Sequence, residues 1–260
     1  MDLDLQNIQL PEGRKVYFAS DFHLGAPDRK KSLQREKKVV RWLSSIERDA
    51  HAIFLMGDLF DFWFEYKHAV PKGGVRLQGK LAEMSDNGLP VFIFSGNHDM
   101  WMRNYFPEEF GIPVFHEPQE VKINNTSLFI GHGDGLGPGD FRYKILKKVF
   151  RNPLSNWLFG KVHPDLGIGI ANAWSKTSRA SNMEKDSRFL GDDEWLFSFC
   201  KEQEQQKHHD YYVFGHRHLP LNLEVSPGSR YINLGEWLSH FTYGIFDGKE
   251  LTLNTYKDEA

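Results

Sequence analysis

The 260-residue chain is nearly free of cysteine: Cys200 stands alone. One thiol excludes an internal disulfide and a cysteine-rich zinc site, and it suits a reducing compartment. Long apolar runs are missing too, so no stretch is expected to cross a bilayer as a helix. The first residues, MDLDLQNIQLPEGR, lack a basic segment followed by an apolar one, so no signal peptide is expected there. Charge of one sign is also scarce. The net value is −3 with histidine neutral, which argues against a general polyanion-binding surface and leaves only local basic patches. There is no internal repeat and no low-complexity tract. These absences point to a soluble, cytoplasmic protein.

What is present is enough to build a core. Hydrophobic residues make up 40% of the chain and aromatics 14%, and the length fits one large domain, 1–260. Short apolar runs at 15–20, 52–56 and 91–95 read as strands. Between them, 28–48 and 76–87 carry apolar residues at helical spacing, and Asn87-Gly88 is a helix stop. This β-α-β-α-β order, with uninterrupted apolar strands, predicts a sheet covered on both faces. Further on, 120–123 and 127–130 flank Asn124-Asn125-Thr126 as a hairpin, and 211–214, 230–234 and 241–246 read as more strands. The stretch 135–193 has no strand signal and reads as a helical insertion into a two-sheet α/β core.

Five of these strands end alike. They run into Asp21-Phe22-His23, Gly57-Asp58-Leu59-Phe60-Asp61, Gly96-Asn97-His98-Asp99, Gly131-His132-Gly133-Asp134 and Gly215-His216-Arg217-His218. Ligands of open α/β sheets bind beyond the strand carboxyl ends, so these side chains are expected to converge. Gathered carboxylates repel one another unless a cation sits among them, and neutral imidazole with ionised carboxylate suits Mn, Fe, Zn or Co. Asp-x-His at an extended strand end would send both side chains to one face, and His216-x-His218 would do the same. Singly, each motif is as well explained by a capping carboxylate or a surface histidine. The chain has 12 histidines, and His51, His68, His208 and His209 read as surface residues. Asp99 and Asp134 have an equally plain reading as turn carboxylates.

Taken together, these motifs resemble the full signature of the calcineurin-like metallophosphoesterase superfamily. The resemblance implies a four-layer αββα sandwich and two divalent metal ions. Asp21, His23 and His218 would hold one ion, Asn97, His132 and His216 the other, and Asp58 would bridge them. His98 would stabilise charge on the phosphate or protonate the leaving oxygen, with Asp99 orienting its ring, and Asp61 would stand behind the ligands.

A narrower resemblance concerns substrate. Ser20-Asp21-Phe22-His23-Leu24, the run Gly57 to Trp63, Ser85 to Pro90, Asp140-Phe141-Arg142 and Leu234-Gly235-Glu236-Trp237 are similar to the UDP-2,3-diacylglucosamine pyrophosphohydrolases of lipid A synthesis. That family implies release of UMP and 2,3-diacylglucosamine 1-phosphate, commonly with Mn²⁺, and a helical lid over the metals. It also implies work as a soluble or peripheral protein on the cytoplasmic face of the inner membrane. Substrate contacts would fall to Asn97, His98, Asp140, Ser175, Arg179 and His216. One position departs, since the best-known members carry Arg where this chain has His98.

The run Phe141–Pro164 holds six Lys or Arg and no acid. Tyr143, Leu146, Lys147 and Phe150 share one helical face. A basic, aromatic helix suits an anionic membrane surface. It equally suits a helix packed on the core with solvated lysines. The alternative substrates are another nucleotide, a nucleic acid or a phospholipid-like diester; nucleic acid is not the expected partner. A non-catalytic scaffold is the reading from a different class, and the intact ligand set argues against it.

Overall fold

The computed structural model describes residues 3–138, 141–171, 173, 175 and 188–258. The first half builds a sheet as predicted. β1 (Lys15–Ala19), β2 (Ala50–Met56), β3 (Val91–Phe94) and β4 (Val114–Phe115) run parallel in that order, and β10 (Thr242–Phe246) and β11 (Leu251–Thr255) extend the β1 edge antiparallel. A second sheet has the order β5-β6-β7-β9-β8. It comprises β5 (Gln119–Ile123), β6 (Thr126–Gly131), β7 (Tyr211–Phe214), β8 (Pro220–Ser226) and β9 (Ser229–Leu234), with β6, β7 and β9 parallel.

The apolar strands are buried on both faces for a simple reason. One face of each sheet meets the other sheet: Val16, Phe18, Phe54 and Phe94 pack with Leu128, Ile130, Val213 and Ile232. The opposite face of the first sheet is covered by α1 (Arg29–Ile46), α2 (Val75–Asp86) and α3 (Tyr105–Phe110), through Trp42, Leu43, Leu77, Leu81 and Phe106. Local signals set the helix ends. The Asp28 carboxylate accepts the Lys31 N–H at 2.9 Å and caps α1, and Gly88, at φ 78°, closes α2. A helix Trp195–Gln206 covers the second sheet by packing Leu196 and Cys200 on Tyr212 and Tyr231. The architecture is a four-layer αββα sandwich. Each fully buried Phe or Leu in these layers contributes roughly 1.5–3 kcal/mol of apolar burial.

Between β6 and that last helix lie α4 (Phe141–Arg151), α5 (Pro153–Phe159) and α6, helical at 164–171; Trp195–Gln206 is then α7. The inward face of α4 is the one predicted from spacing. Tyr143 and Lys147 reach Asp134, and Phe150 packs on Trp101. Trp101 also stacks on Phe159 of α5 at 5.8 Å, and Phe159 meets Phe62 and Phe64 from the loop after β2. The outward face is apolar: Phe141, Ile145, Val149, Leu154, Trp157, Leu158, Leu166 and Ile170 are all exposed. Among the described residues, no helix is long and apolar enough to cross a membrane.

Sequence reading missed several short elements. β4 has two residues, α3 six, and β8 carries no buried residue to give it a core pattern.

Candidate metal centre

The loops after β1, β2, β3, β6 and β7 meet at one end of the sandwich. The Nε2 atoms of His23 and His218 are 3.0 Å apart, and Asp21 Oδ1 lies 3.2 Å from His218 Nε2 and 3.6 Å from His23 Nε2. Asp58 Oδ2 is 3.8 Å from His23 Nε2 and 3.4 Å from His132 Nε2, so it faces both histidines. On the other side, His132 Nε2 is 3.2 Å from Asn97 Oδ1, and the His132 and His216 rings are 5.1 Å apart. Asp21, His23, Asp58 and His218 each offer a ligand atom within 4.8 Å of the others.

The backbone reaches this arrangement differently from the expectation. Asp21, His23, Asp58, His216 and His218 all have positive φ, from 44° to 67°. The Asp-x-His and His-x-His pairs therefore converge through left-handed turns, not through the alternation of an extended strand. For residues with a Cβ this conformation costs about 1–3 kcal/mol each and persists only where the surroundings impose it. Those surroundings are visible. Arg35 is buried and donates to the carbonyls of Phe22, His23 and Ala26, pinning the first loop. The Trp237 N–H donates to the Asp21 carbonyl. At Gly215 a Cβ would lie 2.5 Å from Asp21 Oδ2, so only glycine lets these loops approach.

The donor set fits a divalent cation. Asp21 Oδ1 and Asp58 Oδ2 are buried with no hydrogen-bond partner. An ionised oxygen left so is costly, and a cation between the carboxylates removes the cost. Asp58 Oδ1 is satisfied separately, by the His98 N–H at 2.8 Å, which leaves Oδ2 for the cluster. The His132 Nδ1–H donates to the Met56 carbonyl at 2.8 Å, so its Nε2 is the atom presented to Asn97 and Asp58. Burial disfavours charge on His132, yet Asp58, Asp21 and Asp134 raise its pKa to about 10. Without a cation the pocket's negative field holds a proton on that buried ring. His216, by contrast, is pushed down to about 3 by burial and then by His132, and is neutral.

A profile of the calcineurin-like phosphoesterase family matches residues 14–220, most of the chain. The chain belongs to this family. It is a metal-dependent hydrolase, with a cluster of carboxylate and imidazole groups able to hold the metal. A UDP-2,3-diacylglucosamine hydrolase of Porphyromonas gingivalis is 35% identical over 257 residues, covering 94% of this chain and 98% of the relative. One from Shewanella baltica is 28% identical over 223 residues, 86% of this chain and 89% of the relative. Among solved structures, the Escherichia coli phosphoesterase Yfce aligns over 93% of this chain and 92% of its own at 16% identity, with a TM-score of 0.47.

Within this phosphoesterase, His98 borders the cluster, its ring edge-on to His23 at 4.8 Å. Its Nδ1 lies 3.0 Å from the Asp61 carbonyl and 3.0 Å from Ser175 Oγ. Asp99 does not orient it. That carboxylate accepts N–H groups from Gly96 and Leu59 at 2.7 Å and from Asp58 and Phe60 at 3.3 Å. It is a loop clamp that holds the backbone of Asp58 and its neighbours. Burial and the Asp58 charge raise its pKa to about 7. The Asp61 carboxylate stands 3.7 Å from both His23 and His98, behind the cluster. Asp140 and Arg179 lie outside the described residues, as does Lys176.

Two of the three lysines of α4 are not the solvated charges of the packed-helix reading. Lys147 is turned inward to Asp134, and Lys144 donates to the Gly137 carbonyl, so neither is a freely solvated charge. Sequence reasoning missed Arg217 and Glu194, which form a fully buried ion pair. An arginine between two histidines at a strand end was a signal; its partner, 23 residues earlier, was not.

Proposed function

We propose that this phosphoesterase hydrolyses the pyrophosphate of UDP-2,3-diacylglucosamine, releasing UMP and 2,3-diacylglucosamine 1-phosphate for lipid A synthesis. The observation that carries this reading is the unburied apolar face of α4, α5 and α6 on a segment bonded to the catalytic loops. A hydrolase of small water-soluble diesters has no use for such a surface, whereas two acyl chains do. The named activity of the Porphyromonas gingivalis relative, at 35% identity over nearly the whole chain, supports it. In this reading residues 135–193 are a lid inserted in the domain.

Asp21, His23, Asp58 and His218 would hold one divalent ion, and Asp58, Asn97, His132 and His216 the other, with Mn²⁺ the expected metal. Such ions supply a polarised phosphoryl oxygen and an activated water. The chain does the rest. Asp58 is positioned by the Asp99 clamp, and His132 is oriented by the Met56 carbonyl. His98 is held at Nδ1, which leaves Nε2 for the substrate. Burial keeps its pKa low, at about 4, and an anionic diphosphate entering the site favours its protonated form. The acyl chains settle on the apolar face and align the α-phosphate, converting apolar burial into orientation. Ser175, whose Oγ lies 3.0 Å from His98 Nδ1, is a proposed substrate contact, as are Asp140 and Arg179. The same face, with exposed Lys148 and Lys161 beside it, suits an anionic inner-membrane surface from the cytoplasmic side.

The test is UMP release from diacylated, short-chain and deacylated UDP-sugars, with cyclic nucleotides and single-stranded oligonucleotides alongside, with and without a chelator. The diacylated sugar should be preferred. At ~0.8 kcal/mol per buried CH₂, losing four methylenes should lower kcat/KM on the order of a hundredfold. Equal cleavage of the deacylated sugar or an oligonucleotide would replace this reading with a general phosphodiesterase.

A further inference from the structure

Two ionic contacts, one fully buried and one largely so, tie the helical segment to the loops that carry His132, His216 and His218. At its start, Lys147 Nζ of α4 lies 2.6 Å from Asp134 Oδ2 and donates to the Asp134 carbonyl at 2.8 Å. Tyr143 donates to the same carboxylate oxygen at 2.6 Å. Asp134 is buried and follows His132 by two residues. At the segment's end, Arg217 Nε donates to Glu194 Oε1 at 2.6 Å, and Nη2 to Glu194 Oε2 and the Arg188 carbonyl, both at 3.1 Å. Arg217 also packs over Trp195 at 4.8 Å, and it sits directly between His216 and His218. The two tied loops are joined to each other, since the Gly215 N–H donates to the His132 carbonyl at 3.0 Å.

Of the other half of the cluster, His218 shares the loop of Arg217, but Asp21 and His23 are held without the segment. Asp21 and His23 belong to the loop pinned by Arg35, a residue of α1 in the sandwich. The asymmetry has a physical consequence. A shift of α4 drags the His132 loop through a charged, two-point grip, while the Asp21–His23 loop keeps its own anchor.

We propose that Lys147 is a positioning residue: through Asp134 it latches α4 to the His132 loop and sets the affinity of the metal site formed by Asn97, His132 and His216, with far less effect on the other site, whose Asp21 and His23 are anchored by Arg35 and whose His218 lies on a loop the latch does not touch directly. The proposal rests on the two-ion reading above. By linkage, metal at the His132 site also stabilises the seated position of α4 by the same free energy that the seated helix lends to the metal. The segment that receives the substrate is thereby coupled more tightly to one ion than to the other.

The experiment is titration of metal-free protein with Co²⁺, followed by visible absorption and calorimetry, for wild type, Lys147→Met, Lys147→Arg and Asp134→Asn. Wild type should bind two ions. Lys147→Met should weaken one step about 10- to 100-fold, the usual cost of losing a partner behind a metal ligand, and keep the other within about twofold. Lys147→Arg should restore the weakened step. Asp134→Asn keeps an acceptor for Tyr143 and should reproduce the loss even if Lys147→Met folds poorly. The latch is overturned if both steps hold, if both weaken equally, or if one strengthens. Strengthening is what a merely repelling lysine charge would produce. Wild type that binds fewer than two ions overturns the two-ion reading itself, whatever the variants do.

Discussion

Phe54, in the sandwich, is fully buried between two sheets, whereas Phe141, at the start of α4, is 75% exposed. The contrast extends to their surroundings. Trp42, Trp63 and Trp237 are buried in the sandwich, while Trp157 and Leu158 of α5 face outward. The helical segment is half closed: its inner face is bonded to loops of the candidate metal centre, and its outer face is an apolar surface without a protein partner among the described residues. The lesson is a division of labour. The strand ends gather the carboxylates and imidazoles of the candidate metal centre, and the segment presents an exposed apolar surface.

The largest effect that sharpens the contrast is on stability. Phe54→Ala should cost about 3–5 kcal/mol, because it opens a cavity among Phe18, Phe92 and their neighbours. Phe141→Ala should change stability by no more than about 0.5 kcal/mol. Urea denaturation of both variants checks this, and a comparable loss at Phe141 would show that the outer face is packed after all.

A smaller effect tests whether the polar groups of the sandwich are as fully used as its apolar ones. Glu204 of α7 bonds His208, Ser226, Tyr212 and the His209 N–H. Burial alone would raise its pKa, but these bonds outweigh it and hold the value at about 2. A depressed carboxylate contributes stability that is fully present above its unfolded pKa of ~4.3 and is lost as pH falls toward the folded value. Glu204→Gln should therefore cost about 1–3 kcal/mol at pH 7, with the gap to wild type closing between pH 4.5 and pH 2. A gap unchanged across that range would show that the carboxylate's charge contributes nothing.

How much was legible beforehand follows the same division. The strands β1, β2, β3, β6 and β7 were readable because burial on both faces forces continuous apolar runs, and their polar endings named the cluster before any geometry was known. Residues such as Asp134 and Arg217 were readable as charges but not as anchors, because their partners Lys147 and Glu194 are far away in sequence and only folding brings them together. Asp99 was misassigned for a related reason. Adjacency to His98 suggested a side-chain pair, but the backbone turn points its carboxylate at one N–H of its own loop and three of the loop after β2. The left-handed turns at Asp21, His23 and His218 were invisible, since nothing in Asp, His or Arg announces positive φ. The face of α4 that packs inward was legible from spacing; that Ile145 and Val149 would stay exposed was not.

The central claim is that the outer face of the segment selects an acylated substrate for chemistry done by the strand ends. It is tested most directly by the ratio of kcat/KM for the diacylated UDP-sugar to that for its deacylated counterpart, in wild type and in Ile145→Ser/Trp157→Ser/Leu158→Ser. Removing three apolar side chains should bring that ratio down on the order of a hundredfold, from the loss of a few kcal/mol of acyl-chain burial. A ratio that is the same in both proteins would contradict the claim and leave the exposed face without a part in substrate choice.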